Sequence, residues 1–341
     1  MIKKYIKKYG LPLVVVGILG KITSITLVFG VFGHWFGTLL PSESEQITIY
    51  LDPELTLQEH QLTIEDQVTK HGGHGERLTR VLYWRGWSKQ IVPGKYEIKA
   101  GETIGDVAHK FATGDRESVR VIVPAGRDLE VIAGRIAQNI AADSMAVLKL
   151  IRPDSIRWQM IPNTYEMWWE TEAEEAVLRL TKESAIWWNT KRQEKAKSKD
   201  LSAEEAVILA SIVQAETSNI SEAPIVAGLY LNRLKTGQAL QADPTLIYAW
   251  DDISITRVLN KHKDIDSPYN TYMYAGLPPG TIRTPEPTYI DAVLNATEHD
   301  YLYMCAEPGG TGKHVFERRY RDHLRNARQY QKWLNKQNIY R

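Results

Sequence analysis

The sequence predicts an α+β fold, with a single amino-terminal transmembrane helix, a small α/β subdomain and a larger mixed α/β domain. Three observations predict it: a long apolar run near the start, short alternating segments of strand and helix character, and a strongly helical segment after residue 200. A chain of 341 residues also exceeds what one hydrophobic core usually serves. The expected divisions are a tail and anchor at 1–41, a membrane-proximal segment at 42–93, the subdomain at 94–145 and the larger domain at 146–341.

The apolar run extends from Leu11 to Leu40 and is broken mainly by Lys21. Its part from 22 to 40 reaches the roughly 20 residues that cross a bilayer. Four lysines precede the run, Lys3, Lys4, Lys7 and Lys8, so the positive-inside rule places the amino terminus in the cytoplasm and the bulk of the chain outside. A cleaved signal peptide is the alternative, but the run is long and lacks a small-x-small site. We therefore expect a single-pass protein of the cytoplasmic membrane.

Composition excludes several classes of function. Lys plus Arg (42) nearly balances Asp plus Glu (41), which argues against a nucleic acid held by bulk charge. Cys305 is the single cysteine, so an internal disulfide and a multi-cysteine metal site are excluded. His71 and His74 flank two glycines, and two histidines alone make a poor metal site. We expect a solvated loop there, and neither a metal nor a cofactor.

Between the run and residue 94, two elements are expected. The segment QITIYL at 46–51 alternates apolar and polar residues, as a half-buried strand does. The segment 65–87 has helical periodicity, with an interruption at its glycine-rich part.

A compact strand and helix unit follows. A strand at 95–99 leads through a turn into a helix that Thr103 opens and Gly114 ends, and a strand at 119–123 and a helix at 129–140 come next. The order Tyr96-x-Ile98-x-x-Gly101-Glu102-Thr103-Ile104-x-x-Val107-Ala108-x-x-Phe111 resembles the opening of a LysM module, a βααβ fold that grips N-acetylglucosamine polymers. Two interpretations stay open, because the same residues also suit a fold that packs without binding glycan.

Two helices are expected at 172–188 and 191–199, and a third helix follows them. Ser202 and Glu205 form a capping-box pattern, which predicts a helix from Ala203. Leu209 and Val213 belong to an apolar stripe on that helix, and Glu216 falls at its end.

A carboxyl group at the end of an apolar stripe loses hydration, which raises its pKa. A general acid at neutral pH needs that rise, because an ordinary Glu is ionised there. The alternative is a structural role for Glu216 at a helix carboxyl end, where the helix dipole disfavours an anion. Spacing alone leaves the two open.

From this helix onward the chain resembles the MltG (YceG-like) family of endolytic murein transglycosylases. Six ordered blocks carry the resemblance: Ala210–Thr217 (ASIVQAET), Leu231–Leu234 (LNRL), Leu240–Thr245 (LQADPT), Tyr269–Tyr272 (YNTY), Gly276–Gly280 (GLPPG) and Lys313–Phe316 (KHVF). The resemblance implies that Glu216 is the catalytic acid and base. It also implies that the other blocks line a glycan groove, with these substrate-binding residues: Asn232, Gln241, Asp243, Tyr269, Asn270, Tyr272 and His314. Arg233 suits an internal ion pair instead.

The resemblance also implies a reaction. Glycosidases that use water normally need two carboxylates, whereas a lytic transglycosylase uses the muramyl C6 hydroxyl of its own substrate as nucleophile. The expected product is a 1,6-anhydromuramyl end within nascent peptidoglycan, and the expected partners are glycan strands, the membrane and peptidoglycan synthases. Asp243 is the nearest second acid, although Asp-Pro-Thr also reads as a turn or helix cap. The alternatives are a hydrolytic muramidase and a non-catalytic glycan-binding scaffold.

Overall fold

The computed structural model describes residues 35–43, 45–252, 254–255 and 258–337. Its contacts divide the chain into two compact units. The first unit comprises the residues up to Val119 together with Met167–Glu170, and the second comprises Arg120–Glu166 and Thr171–Arg341. The fold is mixed α and β, as expected, with helices and three two-stranded sheets among the described residues.

The first unit is built around one antiparallel strand pair. Strand β1 (Ile47–Leu51) pairs with β2 (Gly94–Ile98), and Ile49 lies opposite Tyr96. Burial alternates along β1, as its sequence pattern predicts. The helices of this unit are α1 (Leu57–Lys70), α2 (Gly75–Trp84), a short 3-10 helix (Trp87–Lys89) and α3 (Ile104–Thr113).

Where one helix was expected at 65–87, the structure has the end of α1 and all of α2. One glycine ends α1, and another allows α2 to begin close to α1. Gly72 has a φ of +75°, a left-handed conformation that ends α1. A Cβ on Gly75 would lie 2.4 Å from the carbonyl oxygen of Glu65, so only glycine lets α2 start this close to α1. The connecting loop holds His71 and His74. His71 uses Nδ1 to bond the Gln67 carbonyl at 2.8 Å.

The predicted membrane anchor lies almost wholly outside the described residues. The described end of that apolar run belongs to the core of the first unit, where Leu39 and Leu40 are buried. The backbone N–H of Leu39 donates to Glu102 O at 2.9 Å, which ties the segment to the turn before α3. Within the part of the chain that the structure describes, no helix has the length and apolar character needed to cross a bilayer.

The segment predicted to resemble LysM contains the expected elements in the expected order. These are β2, α3, β3 (Ser118–Val123) and α4 (Leu129–Ala137). Thr103 caps α3 by accepting the N–H of Asp106, and Gly114 ends the helix in a left-handed conformation. The boundary between the two units falls within β3, and β2 pairs with β1. Glycan binding by this segment stays a prediction.

The second unit carries most of the helices. After α4 its elements are α5 (Ser144–Ile151), α6 (Asp154–Arg157), β4 (Asn163–Trp168), α7 (Ala173–Trp187), α8 (Thr190–Lys197), α9 (Ala203–Glu216), α10 (Ala223–Lys235), α11 (Asp243–Trp250), a 3-10 helix (Asn260–His262), α12 (Pro287–Leu294), the hairpin β5 (Tyr303–Ala306) and β6 (His314–Glu317), and α13 (Tyr320–Lys336). Strand β4 forms a sheet with β3, and its last two residues belong to the first unit. Helix α9 packs against α10, α11 and α12, and α13 packs against the hairpin. The apolar core of this unit surrounds α9.

Candidate active site

Helix α9 begins where its capping box predicts. The Ser202 hydroxyl accepts the N–H of Glu205 at 3.1 Å, and the Glu205 carboxylate accepts the N–H of Ser202 at 2.7 Å. Two of the four N–H groups that a helix start leaves unpaired are thereby satisfied. The first helical residue is Ala203, as expected.

The middle of α9 is buried all round, which goes beyond the expected apolar stripe. All eight residues from Ala206 to Val213 are buried, so neighbouring elements enclose the helix on every side. Its carboxyl end is fixed by side-chain bonds to the chain that precedes α12. Ser211 Oγ accepts from Ile282 N at 3.1 Å, and Gln214 Oε1 accepts from Glu286 N at 2.8 Å. Glu216, the last residue of α9, is therefore held on a rigid support.

Glu216 is half-buried, and neighbouring protein atoms remove much of the hydration of its carboxyl group. Loss of hydration raises its pKa to about 7, and the negative charge of Asp243 adds to the rise. Two groups act in the opposite direction. The Tyr230 hydroxyl donates to Glu216 Oε1 at 2.8 Å, and the Arg233 guanidinium supplies positive charge. Desolvation is the largest influence, so the group is poised to hold and release a proton near neutral pH.

Glu216 opens into a cavity of about 330 Å³ in the second unit. The wall is rich in aromatic and polar side chains, which suit the faces and hydroxyl groups of sugars. It is lined by Glu216, Leu229, Tyr230, Arg233, Gln241, Asp243, Tyr272, Tyr303, Met304, Cys305, Ala306, His314, Tyr320 and His323. Five of the eight site residues predicted from sequence are brought together here: Glu216, Gln241, Asp243, Tyr272 and His314.

Asp243 and Tyr272 form a pair on this wall. The Tyr272 hydroxyl donates to Asp243 Oδ1 at 2.5 Å, and burial followed by this bond raises the pKa of Tyr272. Asp243 is the first residue of α11, but the N-cap is Ala242 and no side chain caps that helix. The carboxylate of Asp243 is thus directed to the tyrosine. Gln241 adopts a φ of +49°, a left-handed conformation, and its N–H donates to Thr271 O at 2.9 Å.

His314 begins strand β6 and is bonded twice to one carboxylate. Glu222 Oε1 accepts the backbone N–H of His314 at 3.0 Å, and Glu222 Oε2 lies 3.1 Å from Nδ1 of its ring. Glu222 precedes α10 and is buried, with 8% of the residue exposed.

The other three predicted residues lie away from the Glu216 cavity. Asn232 donates to the carbonyl oxygens of His299 (2.7 Å) and Tyr301 (3.1 Å), so its amide is used in packing. The Tyr269 hydroxyl donates to the Asp154 carboxylate at 3.1 Å.

Asn270 is fully buried. Its amide bonds the Lys263 and Ile265 carbonyls, each at 2.8 Å, and accepts the N–H of Tyr272. These bonds support the loop that carries Tyr272. A substrate contact by Asn270 stays a prediction.

Arg233 is buried, and among the residues that the structure describes its hydrogen-bond partners are carbonyl oxygens and not a carboxylate. It donates to Leu302 O at 2.7 Å and to Leu240 O at 2.5 Å, whereas an internal ion pair was expected. These bonds join α10 to the hairpin and to the chain before α11. The charge of Arg233 is therefore held beside the Glu216 carboxyl by backbone contacts.

Four aromatic residues of the cavity were not predicted from the sequence: Tyr230, Tyr303, Tyr320 and His323. Tyr230 lies 14 residues after Glu216 on another helix, α10, and the sequence pattern did not indicate that its hydroxyl bonds the Glu216 carboxyl. The Tyr303 and His323 rings stack with centroids 5.6 Å apart. Burial lowers the pKa of His323, which favours the neutral imidazole. Residue spacing predicts contacts within one helix, so it could not predict that Tyr320 and His323 of α13 share a cavity with Glu216 of α9.

A second cavity of about 1330 Å³ lies on the other side of α10. Gly228, Leu231 and Asn232 face it, whereas Leu229, Tyr230 and Arg233 face the Glu216 cavity. Four residues of the GLPPG block also line this larger cavity: Gly276, Leu277, Pro278 and Pro279. Helix α10 therefore separates the two cavities.

Comparison with known proteins gives consistent results. The family model described as the YceG-like family matches residues 57–329. A protein of Bacillus subtilis (strain 168) named endolytic murein transglycosylase is 32% identical over 264 residues, which cover 70% of this chain and 72% of that protein. A protein of the same name from Streptococcus pneumoniae (strain ATCC BAA-255 / R6) is 30% identical over 179 residues. The match covers 50% of this chain and 31% of that longer protein.

A solved structure is also similar. It is the crystal structure of a yceG-like protein from Listeria monocytogenes, with 21% sequence identity and a TM-score of 0.49. The match covers 82% of this chain and 98% of that one.

Proposed function

The chain belongs to the YceG-like family, and from this premise we propose that it is an endolytic murein transglycosylase that uses Glu216 as its acid and base. The observation that carries the proposal is the desolvated Glu216 carboxyl, whose pKa of about 7 lets it hold a proton at neutral pH. The substrate is the glycan strand of peptidoglycan, cut between N-acetylmuramic acid and N-acetylglucosamine.

In the first step, protonated Glu216 donates to the glycosidic oxygen, and the bond from that oxygen to muramyl C1 breaks with its electron pair going to the oxygen. Because Oε1 already accepts from Tyr230, the proton to be donated belongs on Oε2. The developing positive charge at C1 is met by the carboxylate that remains.

In the second step the muramyl C6 oxygen attacks C1, and its proton passes to Glu216. A 1,6-anhydromuramyl end forms, and Glu216 is again protonated. Water is not consumed in the reaction. One carboxyl group therefore suffices, whereas hydrolysis normally uses two.

Asp243 keeps a hydrolytic alternative testable, because it lines the same cavity and its charge acts on Glu216. In the proposed mechanism its carboxylate accepts from Tyr272 and tunes Glu216 without touching the nucleophile. We further propose that an amino-terminal anchor keeps the enzyme at the cytoplasmic membrane, outside the cytoplasm. There it would cut newly made strands, limit their length and work beside peptidoglycan synthases.

The test is product analysis by mass spectrometry after digestion of purified sacculi. The parent chain should give anhydromuramyl ends, and Glu216→Gln should give none above background, a loss of about 10²–10⁴-fold. Glu204→Gln is the matched control, because Glu204 lies on the same helix but faces the larger cavity. It should cleave as the parent does.

Two other results would overturn the proposal. Reducing-end sugars without anhydro products would indicate a muramidase, and loss of cleavage in Asp243→Asn equal to that of Glu216→Gln would support that assignment. Binding of glycan by a parent chain that never cleaves it would indicate a scaffold.

A further inference from the structure

Glu222 is a buried carboxylate that no sequence block singled out and that the mechanism above does not use. Its side chain is 11% exposed, and its partner His314 is 17% exposed. Both oxygens are committed to one residue, with Oε1 bonded to the backbone N–H of His314 and Oε2 facing Nδ1 of the ring. Burying a carboxylate is costly unless such bonds compensate it, so this pairing has to be explained.

The pairing fixes the protonation pattern of the imidazole. A carboxylate only accepts hydrogen bonds, so the Nδ1 atom that faces it must carry the hydrogen. In the neutral ring, Nε2 then has a lone pair and acts as an acceptor. His314 also lines the Glu216 cavity, and Nε2 is the ring nitrogen that Glu222 leaves free.

The same contact holds the wall of the cavity. Strand β6 begins at His314 and pairs with β5, where Ala306 lies opposite His314. Ala306 and its neighbours Met304 and Cys305 line the cavity. Glu222 therefore connects the start of α10, the helix that carries Tyr230, to the hairpin on the opposite wall.

We propose that Glu222 is a positioning residue, which holds His314 with Nε2 as an acceptor for a hydroxyl or acetamido N–H of the amino-sugar substrate. The proposal rests on the proposed function for the identity of the substrate. Glu222 does not touch the glycan. Its effect is to set which hydrogen-bonding role His314 offers in the cavity.

The substitution Glu222→Gln separates this role from simple support. Its amide oxygen can still accept the backbone N–H of His314, while its NH₂ group can donate to Nδ1 at the same distance. Both hydrogen bonds keep their geometry, but the ring hydrogen of His314 moves from Nδ1 to Nε2. In this variant Nε2 of His314 donates into the cavity, whereas in the parent it accepts. A substrate N–H or O–H group would then direct its hydrogen at the hydrogen on Nε2.

The experiment is steady-state kinetics and glycan binding with the full chain. Glu222→Gln should raise KM by about tenfold with kcat within about twofold of the parent, because a mismatched buried hydrogen bond weakens substrate binding. Its unfolding temperature should match that of the parent. Binding of glycan strands in the inert Glu216→Gln background should weaken by a similar factor.

His314→Asn supplies a second, independent variant. The amide nitrogen of Asn can occupy the place of Nδ1 and keep the bond to Glu222, while the acceptor at Nε2 is lost. KM should again rise by about tenfold, and adding Glu222→Gln to His314→Asn should raise it no further. Glu170→Gln is the matched control, since Glu170 is similarly buried, with 14% of its side chain exposed, but pairs with Arg116 in the first unit. Its KM should equal that of the parent.

A parent-like KM in Glu222→Gln overturns the proposal, and so does a fall in kcat alone. Should Glu222→Gln fold poorly, His314→Asn decides, because a parent-like KM there removes the acceptor role. Failure of the proposed function looks different, since the parent itself would then release no anhydro products. The binding measurement in the Glu216→Gln background still reports on His314 in that case.

Discussion

Glu216 is a single residue on which desolvation and hydrogen bonding act in opposite directions. If Glu216 is the acid, as we propose, the balance of the two sets how activity depends on pH. Its pKa of about 7 means that the acid form is lost as pH rises through neutrality. We expect kcat/KM for glycan cleavage to fall about tenfold for each unit of pH above about 7. A profile that stays flat from about pH 6 to 9 would show that Glu216 is not the proton donor.

Tyr230 tunes that profile through one hydrogen bond. Its hydroxyl donates to Glu216 Oε1 and so favours the ionised carboxyl, which lowers the pKa. Tyr230→Phe removes the donor, so the pKa of Glu216 should rise and the alkaline limb of the profile should move to higher pH by about one unit. Tyr289→Phe is the control, because that hydroxyl donates to Thr217 O and not to the carboxyl. An unmoved limb in Tyr230→Phe would contradict the assigned role.

The same carboxyl should lower the stability of the folded chain at alkaline pH. The folded-state pKa is raised above the unfolded value, so its favourable contribution is complete at low pH and is lost as pH rises through about 7. The raised pKa corresponds to about 3 kcal/mol at alkaline pH. Glu216→Gln cannot ionise, so its Tm should exceed that of the parent by several degrees at about pH 8 and should match it near pH 4. Equal Tm values at both pH values would argue that the carboxyl is well hydrated.

At the scale of the element, local signals predicted what lies within one helix and missed what two elements share. The capping box of Ser202 and Glu205 located the start of α9, and Gly114 located the end of α3, because caps involve only neighbouring residues. Full burial of α9 was not predictable, since it depends on α10, α11 and α12. The backbone bonds of the Asn270 amide were not predictable for the same reason, because an amide that bonds backbone carbonyls has the same sequence signature as one that binds a sugar.

Gly228 permits the close packing of α10 and offers a test of it. A Cβ at this position would lie 2.4 Å from the Thr297 carbonyl oxygen, a backbone atom that cannot easily move. Gly228→Ala should therefore lower the free energy of unfolding by about 1–3 kcal/mol. Gly134→Ala in α4 is the matched control, because nothing lies within 4 Å of its added Cβ. It should stabilise by about 0.5–1 kcal/mol through helix propensity. Equal effects of the two changes in chemical denaturation would contradict the packing argument.

At the scale of the whole molecule, the family match at 57–329 extends over both units, whereas the proposed chemistry belongs to one of them. All residues that line the Glu216 cavity lie in the second unit. The cores of the two units, as far as the structure describes them, share no residue. We therefore expect the stability of the first unit and turnover at Glu216 to be separate properties of the chain.

Phe111 provides the test of that separation. Its ring is fully buried in the core of the first unit, with its centroid 4.6 Å from that of Tyr96. Phe111→Ala should remove about 3–5 kcal/mol from the stability of this unit by leaving a cavity. Calorimetry should record the change as a lower unfolding temperature for one transition. Below that transition, kcat on short glycan strands should equal the parent value, because α9, α10 and the hairpin keep their own core. A proportionate fall in kcat while the second transition is unmoved would mean that the first unit takes part in the reaction itself, and the LysM-like segment would then be the place to look for its contact with glycan.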